Sequence, residues 1–396
     1  MEVLFVAHRA PFPPDKGDRL RAWRHLTRLA NLGPVDIVAQ ADSEEDARIA
    51  REGLAEICRE VHVFTRRKFS ALMQVGLAFT SGRSLTVGWH TDPRVEHVLE
   101  ELERRHAYDL CWSFSSGTGP WMQRRSVGHR IMDLCDVDAL KWEALAKDGF
   151  GPRSWIYALE ARRLLPLEVS LAEQADACLV STQQEADDIV LRGRPRNLQI
   201  LTNGSPWEEF VDLPAPSEAG PVIGFLGQMD YPPNVKAVTH LAREVLPAVR
   251  EHVPDARLRI MGRAPDDAVQ ALAKPGEVEV TGAVDSIPEA LSHVRVFCAP
   301  LDRGRGIPNK ILEALSAGRA TVVSSWASKG LEGEPGQDYL IADGVEERTR
   351  VLAGLLADLQ RCDELGAAGR RYIRTHHDWT EVLDQLETLV REVAGA

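Results

Sequence analysis

The segment RGRGIPNKILEALSAGRATVV, residues 303–323, sets arginine, glycine and proline directly in front of a short apolar helix. Before it, VRVFCAPL (294–301) reads as a buried strand, and ATVVS (320–324) reads as the next one. Pro308 suits the first helical position, where its missing N–H costs nothing. Gly318 is well placed to end the helix, and Ile311, Leu312 and Leu315 form its buried stripe. Strand, turn, helix and strand in this order make one unit of a parallel sheet. The helix thus begins outside the carboxyl end of a strand, where open α/β sheets bind ligands. Its free N–H groups near Ile307 to Lys310 carry about half a positive charge. Lys310 adds a full one, and Gly304 and Gly306 let an anion approach the backbone. In physical terms this is a diphosphate site. Glu313 lies one turn deeper, where a carboxylate could accept hydrogen bonds from two ribose hydroxyls. The competing reading is a solvated Lys310–Glu313 pair worth a few tenths of a kcal/mol.

Working outward, the same alternation fills the chain. EVLFVAH (2–8), VDIVAQ (35–40), VHVF (61–64), YDLCWSF (108–114), RIMDLCDV (130–137), ACLVS (177–181) and LQIL (198–201) read as strands between helical patterns. Residues 202–221 then shift to proline, serine and glycine, the composition of an interdomain linker. PVIGFLG (221–227), RLRIMG (257–262) and VEVTG (278–282) restart the pattern, with helices expected over 234–251, 265–273 and 287–292. Continuous apolar runs separated by helices predict parallel sheets covered on both faces. The fold class is therefore α/β, with two Rossmann-like doubly wound domains and a cleft between them. The expected divisions are a first domain at 1–202, a linker at 203–220, a second domain at 221–375, and a C-terminal helix at 376–396.

The totals agree with such a fold. The chain has 396 residues, 44% hydrophobic and 27% charged, with a net charge of −12. That length suits two domains, and the acidic balance argues against nucleic acid as a partner. Six cysteines without a CxxC, and no metal-ligand spacing, read as reduced thiols in a cytoplasmic protein. The N-terminal MEVLFVAHRAPFPP lacks the pattern of a signal peptide, and no run approaches a membrane span. SALMQVGLAF (70–79), preceded by TRRKF (65–69), has two readings: a buried helix, or a helix lying on an anionic membrane surface. Arg21, Arg24 and Arg28 share a helix face and, with Arg66, Arg67 and Lys68, are expected either to face lipid headgroups or to be a solvated face.

GRGIPNKILEALSAGRATVVS, preceded by TNGSPWEEF and by GFLGQMDYPPNVKAV, resembles the GT-B glycosyltransferases of the large retaining nucleotide-sugar group, family 4 or group 1. VPDARLRIMGRAPDD, VEVTGAVDSIPEAL, ASKGLEG and RRYIRTHHDWTEVLDQLETLV follow in the expected order, the last usually returning to the first domain. PFPPDKGDRLRAWRHL and RIMDLCDVDALKWEALA resemble, more narrowly, the sugar transferases of PEP-CTERM/exosortase exopolysaccharide systems. The resemblance implies transfer of a sugar, with retention, from a nucleoside-diphosphate sugar to a hydroxyl of a glycan on a polyprenyl diphosphate. It implies no cofactor or metal, a cytoplasmic location, and peripheral contact with the inner membrane.

Site residues are implied in the same way. Gly17 would lie against the donor diphosphate or the acceptor, Gly227 would open the donor loop, and Arg263 would contact phosphate or stand on the surface. Ala283 and Val284 would hold the base. Gly306, Ile307, Pro308, Asn309 and Lys310 would hold the diphosphate, and Glu313 the ribose. The usual first glutamate of a Glu-x7-Glu pair is Arg305, the common arginine after FLG is Gln228, and a frequent lysine beyond it is Asn234. Lys310 is expected to supply the missing charge. In place of a histidine after the fifth strand stands Asp136, either a catalytic acid binding the acceptor hydroxyl or the sugar, or a structural turn residue. A dinucleotide oxidoreductase would need a G-x-G-x-x-G after the first strand, and AHRAPFPPDKGD lacks it. A nucleotide-sugar epimerase or hydrolase, or a non-catalytic nucleotide-sugar binding protein, would share the donor site.

Overall fold

A computed structural model of the chain describes residues 1–125, 127–148, 151–302 and 306–395. They form two compact units, Met1–Thr202 with Thr380–Ala396, and Asn203–Trp379.

The first unit is built on seven strands: β1 (Val3–Ala7), β2 (Val35–Ala41), β3 (Glu60–Thr65), β4 (Leu110–Phe114), β5 (His129–Cys135), β6 (Ala177–Val180) and β7 (Leu198–Ile200). They pair in parallel in the order β3-β2-β1-β4-β5-β6-β7. The side chains of β1, VLFVA, are all buried, as a strand covered on both faces requires. Helix α1 (Gly17–Leu32) joins β1 to β2, and α2 (Glu44–Leu54) joins β2 to β3. Three helices, α3 (Lys68–Thr80), α4 (Leu85–His90) and α5 (Pro93–Arg105), cross from β3 to β4. The short α6 (Gly119–Gln123) leads to β5, and α7 (Asp138–Asp148) with α8 (Pro152–Gln174) lead to β6. Pro166 sits inside α8. Helix α9 (Gln183–Val190) completes the crossovers.

The expected basic face of α1 does not form. Arg21 is buried and its guanidinium faces the buried Asp133 on β5, with Nε–Oδ2 at 3.1 Å. Arg28 pairs instead with Asp384 at 2.7 Å and Glu387 at 2.9 Å on the last helix. The reason is topological: α1 packs across the sheet, and residues at positions 21 and 28 meet carboxylates distant in sequence.

The second unit has six parallel strands, β8 (Val222–Leu226), β9 (Arg257–Met261), β10 (Val278–Gly282), β11 (Val296–Ala299), β12 (Ala320–Val323) and β13 (Leu340–Ile341), in the order β10-β9-β8-β11-β12-β13. The helix expected over 234–251 is three consecutive pieces: α10 (Pro232–His240), a π turn over Leu241–Val245, and α11 (Leu246–His252). Pro247 has no N–H for the regular ladder, which accounts for the widened turn before it. The helix expected over 265–273 is only α12 (Asp267–Gln270). Then come α13 (Ile287–Ser292), α14 (Asn309–Ser316), α15 (Gly344–Ala357), α16 (Leu359–His376) and α17 (Trp379–Ala394).

Residues 203–220 do not behave as a solvated linker. They belong to the second unit, where Phe210 is buried and Asp363 accepts hydrogen bonds from Ser217 N and Oγ at 2.9 and 2.6 Å. Buried Arg319 donates to the carbonyls of Pro214 and Val294. The second unit continues to Trp379, so of the last two helices only α17 joins the first.

Candidate functional site

The carboxyl ends of the strands carry the unusual backbone. Among the described residues three non-glycine residues have positive φ: Ser115 after β4, Cys135 ending β5, and Ala264 after β9, at 74°, 63° and 53°. Such conformations cost free energy and persist where the surroundings over-determine them, which is common at functional sites. In the second unit the loops after β8, β9 and β10 are laced together. Gly227 N–H donates to Met261 O at 3.0 Å, Gly262 N–H to Gly282 O at 2.9 Å, and Met229 N–H to Arg263 O at 2.8 Å. Gly262 has φ +145°, and a Cβ there would stand 1.6 Å from Gly227 O. Only glycine lets these two backbones lie so close.

Helix α14 begins at the same edge. Its N-cap, Pro308, offers no capping side chain, so the first-turn N–H groups have no side-chain acceptor there. Gly306 just ahead has φ +69°. The Lys310 ammonium reaches back to β8. Its Nζ is 2.5 Å from Asn234 Oδ1 and 4.8 Å from the centroid of the Phe225 ring. A Cβ on Gly227 would lie 3.0 Å from the same Nζ and 2.7 Å from Asn234 Nδ2. Asn234 is buried and donates through Nδ2 to Gln228 O at 2.8 Å. Thus Asn234, which replaces a lysine in the pattern, holds the lysine that comes from α14 instead.

Burial pushes the Lys310 ammonium down to about 8, with Glu313 opposing. Burial likewise pushes the Glu313 carboxyl up to about 7, with Lys310 opposing and Glu209 reinforcing. A cation with few close counter-charges, beside an uncapped helix N-terminus, is arranged to receive an anion.

Gly227, Arg263, Val284, Gly306, Ile307, Pro308, Asn309, Lys310 and Glu313 therefore lie in one unit, on the carboxyl-end loops of β8 to β11 and the first turns of α14. Arg263 is exposed and Val284 partly buried against the core. Asn309 Oδ1 accepts from Asn203 Nδ2 at 3.4 Å, which ties the start of α14 to residue 203. Gly304 and Arg305 lie outside the described residues.

Gly17 and Asp136 belong to the other unit. Gly17 is exposed at the start of α1, after the β1 loop. Beside it Asp18 pairs with Arg9 at 2.6 Å. Burial would raise the Asp18 carboxyl, but His8 and Arg9 outweigh it and hold the group far below the usual range.

Asp136 follows β5, is ion-paired with Lys141 Nζ at 2.6 Å, and accepts a hydrogen bond from Ser181 Oγ at 3.3 Å. Lys141 also reaches Asp138 at 3.1 Å. The loop is held from two helices. Glu185 of α9 accepts from Val137 N at 3.1 Å, and Glu168 of α8 accepts from Asp138 N and Ala139 N at 2.9 and 3.2 Å. Burial and the nearby Asp136 push Glu185 up to about 7. Sequence reading named Asp136 but missed Lys141, Glu168 and Glu185. The acid-rich DLCDVD run was the available signal, but its partners come from separate helices.

Residues 220–358, which include Gly227, Arg263, Val284, Gly306 to Lys310 and Glu313, match the model of a family described as glycosyl transferases group 1. A phosphatidyl-myo-inositol mannosyltransferase of Mycolicibacterium smegmatis is 30% identical over 208 residues, 50% of this chain and 52% of its own. The chain thus spans about half the length of the curated relatives it matches first. Anabaena HepE, crystallised with UDP, aligns with a TM-score of 0.71 at 15% identity over 99% of this chain and 100% of its own. WaaG, a glycosyltransferase involved in lipopolysaccharide biosynthesis, aligns with a TM-score of 0.67 at 14% identity over all of both chains. At such identities the likeness shows the fold: two parallel-sheet α/β domains of the GT-B type.

Proposed function

We propose that this chain is a group 1 glycosyltransferase that moves a sugar from a nucleoside-diphosphate sugar to a hydroxyl of a lipid-linked glycan. The observation that carries this reading is the Lys310 ammonium, held by Asn234 beside Gly227 and the uncapped start of α14, inside the segment that matches the family. In the step, the bond from the anomeric carbon to the diphosphate oxygen breaks and a bond to the acceptor oxygen forms. The hydroxyl proton leaves with the displaced diphosphate or to solvent. Charge grows on the diphosphate, so preorganised N–H groups and an ammonium stabilise the transition state more than the ground state. Gly306 to Lys310 take the diphosphate, Glu313 the ribose and Val284 the base, while Arg263 adds a phosphate contact. Gly17 borders the acceptor. Asp136, with Lys141, binds a sugar or acceptor hydroxyl. Retention at the anomeric carbon, a role in exopolysaccharide assembly and work at the cytoplasmic membrane face rest on the resemblance of the motifs.

Incubation with UDP- and GDP-sugars and a lipid-linked glycan extract tests the reaction. Sugar on the extract with release of nucleoside diphosphate is the expected result. Free sugar as the sole product would instead favour a hydrolase, and binding without turnover a non-catalytic module.

The ribose role has its own test. Glu313→Gln is expected to weaken UDP or GDP binding by about tenfold, the cost of one charge-assisted hydrogen bond, while barely altering affinity for inorganic diphosphate. Equal losses for both in calorimetry would remove the ribose from Glu313.

A further inference from the structure

Among the described residues of the first unit, helix α3 gathers the most exposed large apolar side chains, with Val190 and Leu191 exposed elsewhere. Phe69 is 83% exposed, Leu72 61%, Met73 53% and Leu77 49%. They recur at helical spacing, so they share one face. The opposite face packs through small residues: Ala71 and Ala78 are buried, and a Cβ on Gly88 of α4 would meet the Ala78 side chain at 2.8 Å. Gly76, on the outer face, has nothing within 4 Å of its Cβ position. The patch continues onto the start of α8. Phe79 meets Trp155 edge-on at 6.2 Å, and Trp155 and Ile156 are exposed. The sequence reading of a buried helix over 70–79 therefore does not hold. The helix is apolar toward solvent.

Charge identifies the occupant. From Arg66 to Thr91 the sequence contains Arg66, Arg67, Lys68 and Arg83 and no acidic residue, in a chain of net charge −12. Arg67, Lys68 and Arg83 are exposed at the two ends of α3, and Arg153 is exposed beside Trp155. Arg66 is spent on Asp42 at 2.6 Å. A second copy of the chain docked on this face would set these cations against themselves. An anionic bilayer satisfies both features, with acyl chains for the stripe and headgroups for the rim. A helix of 13 residues is about 20 Å long, too short to span and suited to lying in the interface.

We propose that α3, with Trp155 and Ile156, is a docking surface that inserts into the headgroup region of a membrane containing anionic phospholipid. α3 follows β3 at the carboxyl edge of the first unit's sheet, the same edge as the Gly17 loop. If the chain acts on lipid-linked acceptors, as proposed above, this face presents that edge to the membrane holding them. The docking itself does not depend on that activity.

The test is flotation of the full chain with phosphatidylcholine vesicles, with and without about one-third phosphatidylglycerol. The chain is expected to float with the anionic vesicles and not with phosphatidylcholine alone. Leu72→Ser with Leu77→Ser should lower the partition coefficient by at least about tenfold through lost apolar burial. Arg67→Glu with Lys68→Glu should lower it by at least about tenfold through lost attraction to the lipid. All four positions are exposed, so both variants should keep the wild-type circular dichroism and the same UDP or GDP affinity. Those readouts separate failure of this surface from failure of the donor site. No flotation with anionic vesicles, or flotation unchanged in both variants, overturns the proposal. So does a wild-type dimer in light scattering that becomes a monomer on Leu72→Ser with Leu77→Ser.

Discussion

Lys310→Met lowers kcat/KM for sugar transfer by about 10²–10³-fold, the usual cost of removing one preorganised group from a developing negative charge. Methionine keeps an unbranched apolar stem, so the change removes charge more than packing. Nucleoside diphosphate affinity falls with it, because the same ammonium meets the ground-state diphosphate. The fold should survive: Lys310 is only partly buried, and its partners at hydrogen-bond and ring distance are Asn234 and Phe225. Wild-type affinity for UDP and GDP in calorimetry would refute the assignment. The pH dependence gives a second readout. Lys310 is pushed down to about 8 by burial, and only its protonated form attracts the diphosphate. Affinity should therefore hold below pH 8 and decline above it, by at most about tenfold per pH unit from this one group. The methionine variant should lack that decline.

Asp133→Asn lowers the stability of the first unit by about 3–5 kcal/mol, because it strands the buried guanidinium of Arg21. Arg21 contacts both carboxylate oxygens and also donates to Leu201 O at 2.7 Å. His25 Nδ1 lies 3.0 Å from Asp133 on the other side. Burial and Arg21 push His25 down to about 4 against the pull of Asp133, so it is neutral at pH 7 and adds no compensating charge. Melting of the first unit should fall by on the order of 10 °C. Replacing both ends, Arg21→Met with Asp133→Leu, should recover much of the loss, since an apolar pair leaves no orphaned charge.

The pH sign follows from Asp133. Burial would raise its carboxyl, but Arg21 and His25 outweigh it and hold the group below its ordinary value. The stabilisation is then present above the normal aspartate range and lost as pH falls through the lowered value. The gap between wild type and Asp133→Asn should stay level between about pH 5 and 8 and close in acid. An unchanged melting temperature at neutral pH would show that the pair contributes little.

Local pattern decided a good deal. Unbroken apolar runs between helical periods forced parallel sheets, and the entrance to α14 read as an anion site because glycine, proline and lysine act through backbone rules that need no distant partner. The tertiary structure decided which side chain meets which. Asn234 and Lys310 stand 76 residues apart and meet only because β8 and β11 are neighbours in the sheet. Arg21 reads as one of three arginines on a helix face and is instead buried against Asp133, 112 residues away. Residues 203–220 have a linker's composition, yet Phe210 and Ser217 pack on the second unit. The apolar stripe of α3 shows the same limit: periodicity announces a face, but burial depends on whether another element arrives to cover it. Backbone preference is encoded within a few residues, whereas charge pairing and solvent exposure depend on elements that only the folded chain brings together.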